Sequence, residues 1–205
     1  SINPQTVNDE VLKTIGRKHT AQQFFDAFEL ARKCGFDNIN TDLIAGLPTD
    51  TTESFKNSLD SIVRLNAECI TVHTLCMKRA SRLTTEGVTL DLQQARDARE
   101  MLAYTQNILG QNEYIPYYMY RQSRMVGNLE NVGWSKKGFE SLYNVYVMDE
   151  THTILACGSG GVTKLKRNNP DYLERIFNFK YPYEYIDRFD ELIQRKSGIM
   201  QFYGQ

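Results

Sequence analysis

The segment Ile39–Pro48, read as INTDLIAGLP, constrains this chain more than any other stretch. Polar and apolar side chains alternate through its first half with a β-branched bias, which predicts a strand, and Gly46, Leu47 and Pro48 stop it. A helix is predicted to follow. Thr51 or Thr52 supplies its cap, and Phe55, Leu59, Ile62 and Val63 recur at near-helical spacing through Leu65. Strand, short turn and capped helix make half of a βαβ unit. Asp42 sits near the strand's centre, where a charge is costly unless it meets a partner or a ligand. Local sequence leaves two readings open. Either the carboxylate is bonded to neighbouring backbone or paired with an arginine, or it binds a ligand at a strand's carboxyl end, the face where α/β barrels place their sites.

The flanking sequence extends this pattern. Ser1–Gln5 (SINPQ) reads as the end of a strand whose beginning is not in the sequence, which predicts that the chain is the distal part of a longer one. Asn8 or Asp9 caps a short helix through Thr14 that Gly16 ends, with Arg17 just beyond. Thr20 caps a second helix to about Lys33, with Phe24, Phe25 and Phe28 on its buried side. Cys69–Leu75 is a further β-branched strand. The order β, α, β, α, β predicts a parallel sheet covered by helices, with strand ends near Gln5, Asp42 and His73–Cys76 along one rim. The rhythm then changes. A long helix is predicted over Leu90–Asn112, and an aromatic strand over Tyr114–Tyr120 whose Pro116 favours an edge. Tyr143–Met148 and Thr153–Cys157 are expected to form an antiparallel hairpin about Asp149–Thr151. Gly158–Gly161 reads as a turn, and a last helix runs from Pro182 and Tyr183 to about Lys196. The expected fold class is therefore α/β over 1–85, the end of a partial (β/α) barrel, followed by an α+β domain over 86–205.

Charge and composition narrow the function classes. The formal net charge of −1 provides no basic field for nucleic acid. The sequence has no apolar run long enough to span a bilayer, and a cytoplasmic location is expected. Cys34, Cys69, Cys76 and Cys157 show neither CxxC nor CxxxC spacing, so no zinc or iron–sulfur site is written in these residues and reduced thiols are expected. His19, His73 and His152 are scattered without a ligand pattern. Arg121 and Arg124 stand among aromatics and glycines in Tyr120–Trp134, expected to be a loop, where they suit either a flat or acidic ligand or plain solvent.

SINPQ, the helix to IGR, NTDLIAGLP, ITVHTLCMKRAS, YRQ with NLENVGW, CGSGGVTKL and NFKYPYEYI together resemble the oxygen-independent coproporphyrinogen III oxidases (coproporphyrinogen dehydrogenases) of the radical S-adenosylmethionine superfamily. A related branch of that family consists of haem chaperones. The resemblance implies a cofactor lying across the carboxyl ends of the barrel strands. Gln5 matches a strand glutamine near its ribose and amino-acid moiety. Arg17 matches an arginine for the methionyl carboxylate, where a guanidinium fork bonds two oxygens. Asp42 matches the aspartate of the DLIxGLP strand. Cys76 falls where backbone groups meet adenine, so its thiol is incidental. A structural ion pair between Arg17 and Asp42 is the plain alternative.

In the family, a 4Fe-4S cluster held by a CxxxCxxC loop cleaves S-adenosylmethionine to a radical. That radical abstracts hydrogen from a propionate β-carbon, and loss of carbon dioxide and one electron leaves a vinyl group, twice in succession. The motif is absent from these residues, so the chain alone is expected to be inactive. The resemblance further implies coproporphyrinogen III as substrate and an electron donor such as flavodoxin or ferredoxin, with Arg121 and Arg124 as contacts for substrate carboxylates. The haem-chaperone alternative has His73 or Cys76 as iron ligand. A third reading is a degenerate regulatory or interaction domain. An open sheet edge beside Ser1–Gln5 is expected to promote self-association.

Overall fold

The computed structural model describes residues 1–76, 92–121 and 125–204. The chain forms two compact units, Ser1–Ser141 and Leu142–Gln205. The first contains α1 (Asp9–Thr14), α2 (Ala21–Lys33), β1 (Asn40–Ala45), α3 (Thr52–Arg64), β2 (Cys69–Thr74), α4 (Leu92–Gln111), β3 (Tyr114–Tyr120) and β4 (Asn131–Lys136). Its first three helices begin where the sequence places caps. The Asn8 side chain accepts from the Glu10 and Val11 amides, and Thr20 closes a reciprocal capping box with Gln23. At α3 the Thr51 hydroxyl accepts from the Ser54 amide.

The sheet order is β1-β2-β4-β3, with β1 and β2 parallel and the other neighbours antiparallel. Residues at the N-terminus run beside β1. The Ile2 amide donates to the Asn40 carbonyl, the Gln5 amide to the Asp42 carbonyl, and the Ile44 amide to the Gln5 carbonyl. Leu43, Ala45, Ile70 and Val72 project from one face of the sheet, where Phe24, Phe28, Phe55, Leu59, Ile62 and Met101 from the helices complete a buried apolar core. At the amino end of β2, Glu68 is buried and accepts from the Ile39 amide at 2.9 Å and from Arg32 at 2.8 Å. That carboxylate ties α2, β1 and β2 together.

The boundary expected at residue 85 falls elsewhere in the structure. β4 pairs with β2 through Cys69↔Ser135 to Val72↔Val132, which binds residues well beyond 85 into the first sheet. Part of the segment expected to be a loop, Tyr120–Trp134, is thus strand β4. Pro116 lies on edge strand β3, as its missing N–H requires, and the pairing shifts register between Pro116 and Tyr118.

The second unit comprises α5 (Leu142–Asp149), β5 (Val162–Asn168), β6 (Asp171–Phe177), α6 (Pro182–Asp187), α7 (Phe189–Lys196) and α8 (Gly198–Tyr203). The hairpin expected over Tyr143–Cys157 is not there. Residues 142–149 are helical, and the antiparallel pair is β5 with β6. A short run of apolar and aromatic residues satisfies helix and strand alike, so tertiary packing decides it. The final helix is interrupted at Arg188, which takes φ −114° and ψ 34° between α6 and α7.

Candidate functional site

Strand alternation sorts the first sheet into two faces. One is the core. The other is polar and carries Asn40 and Asp42 from β1, Thr71 and His73 from β2, Asn131 and Gly133 from β4, and Tyr118 and Tyr120 from β3. Their side chains form a network. Asn40 Nδ2 donates to Asp42 Oδ1 at 2.8 Å, and the Thr71 hydroxyl donates to Asn40 Oδ1 at 3.2 Å. Thr71 and Tyr118 hydroxyls are 3.1 Å apart. His73 Nε2 lies 3.5 Å from Asp42 Oδ2, and His73 Nδ1 lies 3.3 Å from the Tyr120 hydroxyl. The Tyr118 and Tyr120 rings are nearly parallel, with centroids 6.4 Å apart.

Gly133 makes this arrangement possible. A Cβ at that position would stand 1.8 Å from Tyr118 Cε1, so the ring lies directly over the glycine and reaches across β4 to Thr71 on β2. The aromatic wall of the face depends on a missing side chain.

Burial raises the Asp42 pKa, but hydrogen bonds from His73 and Asn40, together with the His73 charge, outweigh it and hold the carboxyl below its usual range. Asp42 is therefore a carboxylate at neutral pH. Tyr118 is pushed up to about 12, first by burial, and burial also raises Tyr120. Both remain neutral phenols near pH 7. The face thus presents the Asp42 carboxylate beside His73 among hydroxyl and amide groups, a setting suited to hydroxyl or ammonium groups of a ligand.

The residues singled out from sequence fall in different places. Gln5 is buried beside Asp42 and holds a left-handed backbone, φ 70°, while bonding β1 on both sides. Arg17 is exposed just beyond α1 and forms no ion pair among the described residues; the charged neighbour of Asp42 is His73. Cys76 bridges to Met125 at the carboxyl end of β2. Arg121 follows Tyr120 and so points to the opposite side. It pairs with Glu130 at 2.8 Å and lines a cavity of about 300 Å³ with Val72, Leu102, Val132 and Trp134. Arg124 lies outside the described residues. Sequence reasoning missed Asn40, Tyr118 and the link from His73 to Tyr120. The alternating tyrosines of YIPYYMY were the available signal, but nothing local said which strand they would pair with.

Among the described residues no group of three or more His, Cys, Asp or Glu side chains is placed to hold a metal. A 4Fe-4S cluster does not fit the side chains present here. S-adenosylmethionine fits better, since Asp42 is a partly accessible carboxylate in the middle of β1 on the polar face.

The radical SAM superfamily model matches residues 1–62, the stretch holding Gln5, Arg17 and Asp42. The chain is 38% identical over 201 residues to the oxygen-independent coproporphyrinogen-III oxidase-like protein HemZ of Bacillus subtilis, covering 98% of this chain and 40% of that protein. It is 32% identical over 178 residues to the heme chaperone HemW of Lactococcus lactis, covering 82% of this chain and 42% of the relative. Among solved structures, coproporphyrinogen III oxidase (HemN) from Escherichia coli, described as a radical SAM enzyme, superposes with a TM-score of 0.64 at 19% identity. That match covers 92% of this chain and 42% of the other, and it speaks to fold.

The architecture is α/β, part of a radical SAM barrel followed by a smaller α+β unit. The chain belongs to the family of oxygen-independent coproporphyrinogen III oxidase-like proteins in the radical SAM superfamily. It spans about 40% of the length of these HemZ and HemW relatives. Among the described residues no helix is long and apolar enough to cross a membrane.

Proposed function

We propose that this chain forms one wall of the cofactor and substrate site of an oxygen-independent coproporphyrinogen III oxidase, which converts two propionates to vinyl groups and yields protoporphyrinogen IX. The observation that supports this reading most is Asp42, an ionised carboxylate on the polar sheet face within the segment matched by the superfamily model. S-adenosylmethionine, when bound and reduced by one electron from outside these residues, would supply the hydrogen-abstracting chemistry. The residues here bind and orient. Asp42 accepts from cofactor hydroxyl or ammonium donors, Gln5 fixes the adjoining backbone, and the exposed guanidinium of Arg17 takes the methionyl carboxylate. The backbone about Cys76 meets the adenine. The half-buried, neutral Tyr118 shields this face from water. An electron donor such as flavodoxin or ferredoxin, and a place for the protein in the cytoplasm, belong to the same reading.

The test uses the natural full-length protein, reconstituted anaerobically with iron and sulfide. Formation of 5′-deoxyadenosine coupled to vinyl product from coproporphyrinogen III is the expected result. Uncoupled cleavage, or none, together with tight haem binding would favour a haem chaperone, the reading supported by the HemW likeness. One observation weighs against iron ligation by His73 in that reading, for both of its ring nitrogens already face Asp42 and Tyr120. Asp42→Asn should weaken S-adenosylmethionine binding at least about tenfold, the scale of one lost charge-assisted hydrogen bond.

A further inference from the structure

The polar face carries a chain of three titratable groups, of which the function above uses only Asp42. Asp42 Oδ2 lies 3.5 Å from His73 Nε2, and His73 Nδ1 lies 3.3 Å from the Tyr120 hydroxyl. The chain is accessible to a ligand, since the His73 and Asp42 side chains keep 26% and 19% of their surface and Tyr120 is half-buried. A carboxylate can only accept, so its place beside Nε2 keeps a proton on that nitrogen. In the neutral imidazole Nδ1 is then bare and accepts the Tyr120 O–H. Protonation of His73 puts an N–H on Nδ1 as well. The Tyr120 oxygen must then accept, and its own proton turns outward. One proton on His73 reverses what Tyr120 offers to a ligand.

We propose that Tyr120 is a ligand-contacting hydroxyl whose donor sense is set by His73 as a positioning residue, and that the imidazolium form favours a carboxylate-bearing tetrapyrrole. The ligand class rests on the function proposed above. Charge acts in the same direction, because an imidazolium offsets the Asp42 carboxylate that otherwise repels an incoming propionate. Among the described residues, few groups face this histidine. β1 contributes Asp42, β3 contributes Tyr118 and Tyr120, β4 contributes Gly133 and the neutral Asn131, whose side-chain amide also hydrogen-bonds the Tyr120 oxygen in either state, and Cys76 beyond β2 acts on Tyr120 by charge. Imidazole is the side-chain type among them whose charge ordinarily changes between about pH 5 and 8.

The experiment is a fluorescence titration of the full-length protein with coproporphyrin III at about pH 6 and about pH 8, the interval over which an imidazole titrates. Binding of S-adenosylmethionine is measured on the same samples to report an intact site. Wild type should bind the porphyrin roughly tenfold more tightly at the lower pH. Tyr120→Phe and His73→Gln should each reduce that ratio to below about twofold, the residue left by the ligand's own carboxyl groups. A ratio unchanged in both variants, or a flat wild type, overturns the proposal and leaves the proposed function standing. Failure of wild type to bind the porphyrin at either pH, with S-adenosylmethionine still bound, overturns both.

Discussion

Gly133→Ala tests whether the aromatic wall is held by a missing side chain. The new Cβ would meet Tyr118 Cε1 at 1.8 Å, Cδ1 at 2.4 Å and Cζ at 2.5 Å, so ring and methyl cannot share that space. Tyr118 has to leave. Its displacement breaks the 3.1 Å contact between the Tyr118 and Thr71 hydroxyls, worth about 1 kcal/mol. Forcing a methyl group into packed space adds about 1–3 kcal/mol. Alanine in a strand regains about 0.5–1 kcal/mol of the backbone entropy that glycine loses. The net destabilisation expected is roughly 2 kcal/mol, read from urea unfolding midpoints at constant m-value. The diagnostic is a double-mutant cycle. With Tyr118→Ala already present, the same substitution at Gly133 should cost nothing or stabilise slightly. A cost near 2 kcal/mol in both backgrounds would show that the glycine serves the backbone rather than the ring, and the reasoning would fail.

Other expectations follow from the same network and its surroundings. Glu68→Ala should destabilise the protein by about 2 kcal/mol in chemical denaturation, because it leaves the buried Ile39 amide without its acceptor, while Arg32 keeps the Phe36 and Asn66 carbonyls. The carboxyl of Asp42 is held below its ordinary range in the folded state, so its ionisation contributes stability that is complete above the unfolded carboxyl pKa, about 3.9, and is lost as pH falls through the folded value. The difference in urea midpoint between wild type and Asp42→Asn should therefore shrink on acidification below about pH 4, and a difference that stays constant down to acid unfolding would contradict it. Cys76→Ala should leave S-adenosylmethionine affinity within about twofold in calorimetry, since backbone groups rather than the thiol are assigned to that position. Thr20→Ala removes the hydroxyl that accepts from the Gln23 amide and should cost about 1 kcal/mol in thermal or urea unfolding.

Much of the first unit was legible because its signals are local. Thr20 and Thr51 mark helix starts by the hydrogen bonds they make within one turn, and the alternation of NTDLIA is written in consecutive residues. Asp42 stood out for the same reason, a charge near the middle of a predicted strand. What escaped were relations set by pairing across long separations. β4 holds glycine and polar residues because its polar face lies under tyrosine rings, so its own composition resembles a loop. The link from His73 to Tyr120 joins residues on β2 and β3, which are not even neighbours in the sheet. In the second unit, the segment Leu142–Asp149 is apolar without a clear period, and its helical state depends on contacts that no local pattern records. The parity of β3 was equally hidden. It sends Tyr120 to the polar face and Arg121 to the other side, so two adjacent residues that read as one recognition loop serve different surfaces.

Pro116 has a consequence for how this protein behaves in solution. YIPYYMY is an uncharged, aromatic heptapeptide at the outer edge of a sheet, the kind of segment that stacks into dry cross-β ladders when many chains meet during synthesis or refolding. Proline at its third position removes one of the amides such a ladder needs, and the register shift that follows it bends the strand away from a flat template. The residue therefore guards colloidal stability at the very strand that supplies the tyrosines of the site.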